Sequence, residues 1–153
     1  GKKGNIYVAG YIDNLANFDL LGGSSHYLDG VNGHTYMTLA KYDKDRNYEW
    51  AFAVGSATSS GPYPEVHAKA MTLDSAENIY ITGRYDQTFD IDPGPGITTM
   101  DNAGDYYLAK YNSSGQLKWV VTFADGVQCG DGTIYRAAGF VLTGVREGEE
   151  LRN

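Results

Sequence analysis

Short runs of apolar and β-branched residues, separated by polar turn residues, form the dominant pattern along this chain. Each run has four to eight residues, is rich in Tyr, Ile, Val and Thr, and is bounded by Gly, Asn, Asp or Ser. Such runs predict β-strands, because β-branched and aromatic side chains fit a pleated sheet and the bounding residues favour turns. Four such strands, numbered one to four, are predicted at residues 68–74, 78–85, 105–112 and 116–123.

The same sequence blocks occur twice along the chain. GNIYVAG at Gly4–Gly10 returns 73 positions later as ENIYITG at Glu77–Gly83. TLAKYDKDRNYEWAFA at Thr38–Ala53 returns 69 positions later as YLAKYNSSGQLKWVVT at Tyr107–Thr122. The offset falls because the first copy carries four more residues between its two blocks. The chain is therefore a tandem repeat with one insertion-tolerant loop inside the unit.

Four antiparallel strands repeated at this spacing predict an all-β fold built from β-propeller-type blades. The chain holds about two blades, with strands two to four of the first at about 4–54 and the second blade at about 67–123. The first strand of a next blade is predicted at about 134–143. Since propellers close with about four to eight blades, we expect an incomplete ring or a ring that other chains complete.

A third motif, FDIDPGPG at Phe89–Gly96, lies between the two blocks of the second unit. Together with GNIYVAG, ENIYITG and DYYLAKYNSSGQLKWVVTF, it resembles the bacterial secreted β-propeller repeat family, in which a GNIYVTG strand precedes an FDPGPG turn and an AKYDxxGxxxWA hairpin. The resemblance covers Gly4 to about Leu142. It implies an extracellular or cell-surface location in a bacterium, and it implies no settled activity. The first copy departs from the pattern, because NFDLLGGSS replaces FDIDPGPG.

The charge of the chain narrows its range of partners. The formal net charge is -7, and no cluster of Lys and Arg occurs beyond Lys2 and Lys3. Nucleic acid is therefore not an expected partner, because a phosphate backbone requires a basic patch. No apolar run approaches the roughly 18 residues that span a bilayer, so membrane insertion is not expected either. The single cysteine, Cys129, excludes an intrachain disulfide.

The connections between strands are the expected location of any binding surface. In an antiparallel blade the long two–three and four–one connections share one edge, and binding residues favour loops held by a rigid scaffold. Tyrosine provides a broad contact area at a low cost in side-chain entropy. The candidate ligand-binding residues are therefore the tyrosines near these connections, Tyr27, Tyr36, Tyr63 and Tyr85.

The FDIDPGPG segment has two interpretations. Asp90 and Asp92 are two residues apart, so in an extended chain both carboxylates point the same way, as a Ca²⁺ site requires. The other interpretation is a stiff turn, in which the aspartates accept backbone hydrogen bonds while the glycines adopt conformations closed to other residues. We prefer the turn, because Leu21 stands where the first copy should repeat Asp92. No other cofactor is predicted.

Tryptophan and histidine residues are further candidates for chemistry. Trp50 and Trp119 occupy the same position in strand four of each copy, which favours packing between blades over a sugar-stacking platform. The three histidines lack metal-ligand spacing. Of these, His26 and His34 are expected to be exposed in the long first loop.

Three functions remain open at this stage. The preferred hypothesis is a non-catalytic scaffold whose long-loop face binds an extracellular protein or glycan. The first alternative is a structural spacer that assembles with other propeller repeats or with copies of itself. The second is a fragment of a propeller hydrolase or lyase, which would require clustered acid and base groups near the axis. Strand one would lie nearest the axis and carries Ala68, Ala70 and Met71, so we predict no enzyme activity.

Overall fold

A computed structural model describes residues 4–22, 25–30, 34–56, 65–86, 88–101 and 105–123. Within these ranges the chain is all-β and contains no helix, which confirms the predicted fold class. The predicted strand at 134–143 lies outside them. The strands are β1 (Ile6–Ile12), β2 (Ala16–Asn17), β3 (Tyr27–Leu28), β4 (Tyr36–Tyr42), β5 (Tyr48–Val54), β6 (Val66–Leu73), β7 (Ile79–Tyr85), β8 (Phe89–Asp90), β9 (Thr99–Met100), β10 (Asp105–Tyr111) and β11 (Leu117–Phe123).

Two large antiparallel sheets contain most of these strands. The second sheet has four strands in the order β11-β10-β7-β6. Each strand pairs with the next strand of this sheet along the chain, and the small hairpin β8–β9 lies between β7 and β10 in sequence. The first sheet has the order β1-β4-β5 and contains the equivalents of strands two, three and four. Residues that the sequence repeat relates therefore occupy equivalent positions in the two sheets.

Three hairpin turns share one hydrogen-bonding pattern. In each five-residue turn, the backbone N–H of the first residue donates to the carbonyl oxygen of the fifth, and the backbone N–H of the fourth residue donates to the carbonyl oxygen of the first. The side-chain oxygen of the first residue accepts hydrogen bonds from the backbone N–H groups of the third and fifth residues. Asp43, Asp74 and Asn112 are these first residues. The fourth residues have positive φ, namely Arg46 at 71°, Glu77 at 62° and Gly115 at 78°. Side-chain capping by Asp or Asn thus fixes the same turn in both sheets.

Replacement of Asp74 by Asn is expected to reduce the acid sensitivity of the fold and to lower its stability slightly near neutral pH. The side-chain hydrogen bond from Asn78 is the main cause of the lowered pKa of Asp74. A carboxyl group whose pKa is lowered by folding stabilises the fold above its unfolded pKa of about 3.9, and this contribution disappears as the pH falls through the folded value. An amide accepts the same backbone hydrogen bonds without titrating, as Asn112 does.

The measurement is thermal unfolding of Asp74→Asn and the unmodified protein, followed by circular dichroism between about pH 2 and 7. The variant should be slightly less stable at pH 7, because it lacks the charged hydrogen bonds of the carboxylate, and it should lose less stability below about pH 4. Equal losses in both proteins would contradict the role given to the Asp74 carboxylate.

The core lies between the two large sheets. Phe52 of the first sheet packs on Tyr111 of the second, with ring centroids 5.2 Å apart. Ile79, Ile81 and Tyr107 of the second sheet are fully buried beneath the first sheet. Buried apolar area of this kind is the main source of folding free energy. The same face-to-face contact determines which side of each sheet is covered.

The long two–three connections fold back as hairpins β2–β3 and β8–β9. The Tyr111 hydroxyl, at the end of β10, donates a hydrogen bond to the Ile91 carbonyl oxygen at 3.0 Å. Tyr48, at the start of β5, stacks on His26 with ring centroids 3.9 Å apart. Both contacts lie beside the short three–four turns. The two–three connections, predicted to share one edge of the blade with the four–one connections, therefore also reach the edge that carries the short turns, because burial of Ile91 against the core draws the second hairpin across.

Candidate functional site

The tyrosines predicted to form a contact surface have different environments. Tyr27 lies in β3 and is 54% exposed. Tyr85 is fully buried in the core, and its hydroxyl donates a hydrogen bond to the Asp101 carbonyl oxygen at 3.1 Å. Tyr36 is also buried, within β4. Tyr36 and Tyr85 are therefore not part of an exposed surface, because their strands direct these rings into the protein. Tyr63 lies outside the described residues.

The two aspartates of FDIDPGPG accept hydrogen bonds within their own turn. Asp90 Oδ1 accepts from the backbone N–H of Asp92 at 3.0 Å and of Thr98 at 2.8 Å. Asp92 Oδ1 accepts from the backbone N–H of Gly94 at 2.8 Å. These bonds satisfy backbone donors that the turn leaves without a strand partner. The turn interpretation of this segment is thus confirmed.

The glycines of this turn are required for a different reason from the one predicted. Neither Gly94 nor Gly96 has a positive φ, so the prediction of a conformation closed to other residues is wrong. A β-carbon at Gly94 would lie 3.1 Å from Asp92 Oδ1, and one at Gly96 would overlap Asp92 Oδ2. A side chain at either position would therefore force the Asp92 carboxylate to move, by more at Gly96 than at Gly94.

The first copy keeps the aspartate-capped turn without the prolines. Asp19 Oδ1 accepts hydrogen bonds from the backbone N–H groups of Leu21 at 3.1 Å and Gly22 at 3.2 Å. Asp19 is the repeat equivalent of Asp90, and both cap the residue two positions later. The conserved chemistry of the two hairpins is therefore a side-chain cap and not a ligand set.

Metal binding at Asp90 and Asp92 has no further support from their surroundings. Among the described residues, no group of three or more His, Cys, Asp or Glu side chains could hold a metal ion. Two carboxylates fall short of the six to eight oxygen ligands that Ca²⁺ takes. We therefore derive no metal chemistry from this turn.

Two histidines have structural partners. His26 stacks on Tyr48, and His34 Nδ1 lies 2.7 Å from the Ser56 carbonyl oxygen. Both side chains are half-buried, so the prediction that they are exposed is wrong. The ring stack and the hydrogen bond account for their burial, and neither histidine adjoins a nucleophile in these contacts.

A cleft of about 600 Å³ opens between the Asp92–Gly96 turn and the last strand of the first sheet. Trp50 and Phe52 line one wall, with their ring planes within 10° of each other. Asp92, Gln116 and Lys118 also line the cleft. Aromatic rings pack against the C–H groups of a sugar ring, while carboxylate, amide and ammonium groups bind its hydroxyls. The cleft can therefore hold a hydroxyl-rich ligand.

The two equivalent tryptophans differ in their surroundings. Trp50 Nε1 donates a hydrogen bond to the Ser113 carbonyl oxygen at 3.3 Å, and Gly115 lies against its ring. This contact joins the first sheet to a turn of the second, which confirms the predicted packing role for Trp50. Trp119 packs edge-on against Tyr80 within its own sheet and is 40% exposed.

A carboxylate that joins the sheets, Glu77, was not identified from the sequence. It is buried, and its Oε2 accepts hydrogen bonds from Asn5 Nδ2 at 3.0 Å and from the Tyr7 hydroxyl at 3.4 Å. Glu77 thus holds the one–two turn of the second sheet against β1. Comparison of the repeats does not point to a role for Glu77, because Gly4 occupies the equivalent position in the first copy.

Comparisons with known proteins do not identify a family for this chain. No family model matches the chain, and no curated protein or solved structure matches it. Among the described residues, no helix has the length and apolar character needed to cross a membrane. The function is therefore inferred from the cleft, the hairpins and the sheet faces.

Proposed function

We propose that this chain is a non-catalytic scaffold of β-propeller type, from a secreted or cell-surface bacterial protein, that binds a glycan. The observation that carries the proposal is the cleft beside the Asp92–Gly96 turn. One wall of this cleft is part of the long two–three connection, and the other walls are strands and turns of the two sheets. A rigid concave site lined by aromatic rings and a few polar groups is typical of ligand binding.

The polar groups of the cleft favour a sugar over an apolar ligand. Asp92 Oδ1 accepts the Gly94 N–H, while Asp92 Oδ2 accepts no hydrogen bond from the described residues. A ligand hydroxyl can donate to this oxygen, and hydrogen bonds to charged groups are the stronger class. Tyr27, which is exposed, extends the same long connections as contact surface for a larger glycan or for a protein.

The cleft does not favour the enzyme alternative. Hydrolysis of a glycosidic bond by the common mechanisms uses a pair of carboxyl groups about 5–10 Å apart on the two sides of that bond. Among the described residues that line the cleft, Asp92 is the one carboxylate. A bound sugar would therefore meet one carboxylate and no second carboxyl group within this lining.

Binding of the unmodified protein and of Asp92→Asn to an array of neutral oligosaccharides tests the proposal. The amide keeps an oxygen for the Gly94 N–H, so the turn should persist while the negative charge is lost. We expect affinity for the bound sugars to fall about tenfold, since a charged hydrogen bond contributes about 1.5–3 kcal/mol. The matched control is Asp19→Asn, the equivalent change in the first hairpin, which should bind normally.

Two outcomes would count against the proposal. Absence of binding by the unmodified protein at about millimolar sugar would overturn glycan recognition, because a Kd weaker than this corresponds to less than about 4 kcal/mol of binding free energy. Equal loss in both variants would remove the cleft as the site.

The structural alternative is favoured by a different observation. Each large sheet has one face that the other large sheet does not cover, and Val8 and Trp119 are exposed on these faces. A spacer that assembles with other propeller repeats, or with copies of itself, would bury them. This alternative is compatible with glycan binding, because the cleft and the uncovered faces involve different surfaces.

A further inference from the structure

The two large sheets meet through opposite faces. Register places Tyr7, Lys41 and Trp50 side by side on the face of the first sheet that meets the second. In the second sheet, Ile79 and Ile81 lie on the face that meets the first sheet, and both are fully buried. The contact is therefore directional, because each sheet uses a different side.

The face of the first sheet that the second sheet does not cover, here called its uncovered face, is exposed along β1, while the β4 residues of the same face are buried. Its exposed part carries residues of a type that is usually buried. Ile6 is 40% exposed and Val8 is 48% exposed, whereas their repeat equivalents Ile79 and Ile81 are fully buried. Leu20 in the first hairpin is 62% exposed, and its equivalent Ile91 is fully buried. Each of these positions remains apolar in both copies, although only in the second copy does another large sheet cover the face. The uncovered face thus has the composition of an interface.

The uncovered face of the second sheet resembles the face of the first sheet that takes part in the contact within the chain. Tyr80, Lys110 and Trp119 lie side by side, as Tyr7, Lys41 and Trp50 do in the first sheet. The rings of Tyr80 and Trp119 make an edge contact at 5.9 Å, against 6.4 Å for Tyr7 and Trp50. Lys110 Nζ lies 5.0 Å from the Tyr80 ring centroid, and Lys41 Nζ lies 5.7 Å from that of Tyr7.

We propose that these two uncovered faces bind each other, so that a second copy of this chain places its first sheet on the outer face of the second sheet. The contact continues the interface that already joins the two sheets within one chain. It is heterologous, which means that each copy uses one face and leaves the other free for a further copy. The inference rests on the structural alternative and does not depend on glycan binding.

The turns of the first sheet fit the proposed contact. Within the chain, Trp50 packs on Gly115 of the three–four turn, where a β-carbon would lie 3.3 Å from the ring. The equivalent of Gly115 in the first sheet is Arg46, which has nearly the same φ, 71° against 78°. The second copy's Arg46 therefore meets Trp119 after a shift of a few tenths of an ångström, and its guanidinium can stack on the indole.

One contact is missing between copies. Glu77 accepts hydrogen bonds from Asn5 and Tyr7 within the chain, but its equivalent in the first sheet is Gly4. Tyr80 consequently has no carboxylate to meet in the second copy. Association between copies is expected to be weaker than the intrachain contact, with reversible assembly in the micromolar range.

Sedimentation velocity of the full chain tests the inference. The weight-average mass should rise between about 1 and 100 µM protein, as expected for a micromolar complex. Trp119→Asp and Val8→Asp each introduce a charge on one of the two faces, and each variant should remain monomeric. Ile97→Asp, at an exposed hairpin position outside both faces, is the control and should assemble like the unmodified protein. Circular dichroism verifies that each variant is folded.

Mixing the two monomeric variants gives the decisive result. Trp119→Asp retains an intact first-sheet face, and Val8→Asp retains an intact second-sheet face. An equimolar mixture should therefore form a dimer, and growth should stop there because the remaining faces are charged. A mixture that stays monomeric, or an unmodified protein that stays monomeric at about 100 µM, would overturn the inference. Dimerisation of Val8→Asp alone would also overturn it, because that result requires two identical faces to meet.

Discussion

Replacement of Gly83 by Ala is expected to destabilise the protein severely. A β-carbon at this position would overlap the His67 carbonyl oxygen of the adjacent strand β6 and lie 2.6 Å from the Tyr107 hydroxyl. The Tyr107 hydroxyl also donates a hydrogen bond to the same carbonyl at 3.0 Å. The overlap involves backbone as well as a buried ring, so side-chain rotation cannot relieve it. We expect a loss of at least about 3 kcal/mol, at the upper end of overpacking effects.

The repeat provides a matched control for this substitution. Gly10 is the equivalent of Gly83 in the first sheet, and a β-carbon there would meet only Thr38 Oγ1, at 3.7 Å. Gly10→Ala should therefore be tolerated, and it should stabilise the strand by about 0.5 kcal/mol because glycine loses more backbone entropy on folding. Chemical unfolding followed by tryptophan fluorescence measures both changes. Similar stabilities for the two variants would contradict the close strand approach at Gly83.

Removal of the Tyr111 side chain is the second change with a large expected effect. This ring is fully buried between the sheets, contacts Phe52, and donates its hydroxyl hydrogen to the Ile91 carbonyl oxygen. Burial also raises the pKa of the hydroxyl well above its ordinary value, so the group stays neutral. Tyr111→Ala should cost about 3–5 kcal/mol, as expected for loss of a buried aromatic ring.

A second variant at this position separates packing from hydrogen bonding. Tyr111→Phe keeps the ring and leaves the buried Ile91 carbonyl without its donor, which should cost about 1–2 kcal/mol. Tyr42 is the repeat equivalent in the first sheet, and its hydroxyl donates no hydrogen bond within the described part of the chain. Tyr42→Phe should therefore change stability by less than about 0.5 kcal/mol. Urea unfolding of the three variants gives these differences, and equal effects of the two Phe substitutions would contradict the role of the hydroxyl.

The strands and short turns could be predicted from the sequence because their determinants are local. Alternation in ENIYITG and DYYLAKYN identifies strands, and an Asp or Asn four residues before Asn or Gln identifies each hairpin turn. Asp43, Asp74 and Asn112 make their hydrogen bonds to residues two and four positions later. A single stretch of five residues therefore contains all the information that the turn requires.

The position of the candidate site could not be predicted in the same way. Tyr85 was expected in a contact surface, but its burial depends on which face of β7 the first sheet covers. The cleft beside Asp92 exists because Ile91 packs into the core and draws the hairpin across to the three–four turn. Each of these outcomes depends on contacts between residues that are distant in sequence, and local pattern does not encode them.

The shared turn geometry also determines the order in which the chain can fold. The turns at 43–47, 74–78 and 112–116 connect strands that are adjacent in sequence, so β4–β5, β6–β7 and β10–β11 require only short loop closures. Hairpins of this kind form in about 1–10 µs. Pairing of β1 with β4 and of β7 with β10 must await closure of the long connections, which is slower. Each capped turn thus fixes strand register early, before the sheets meet, when a slip by one residue would place every side chain on the wrong face.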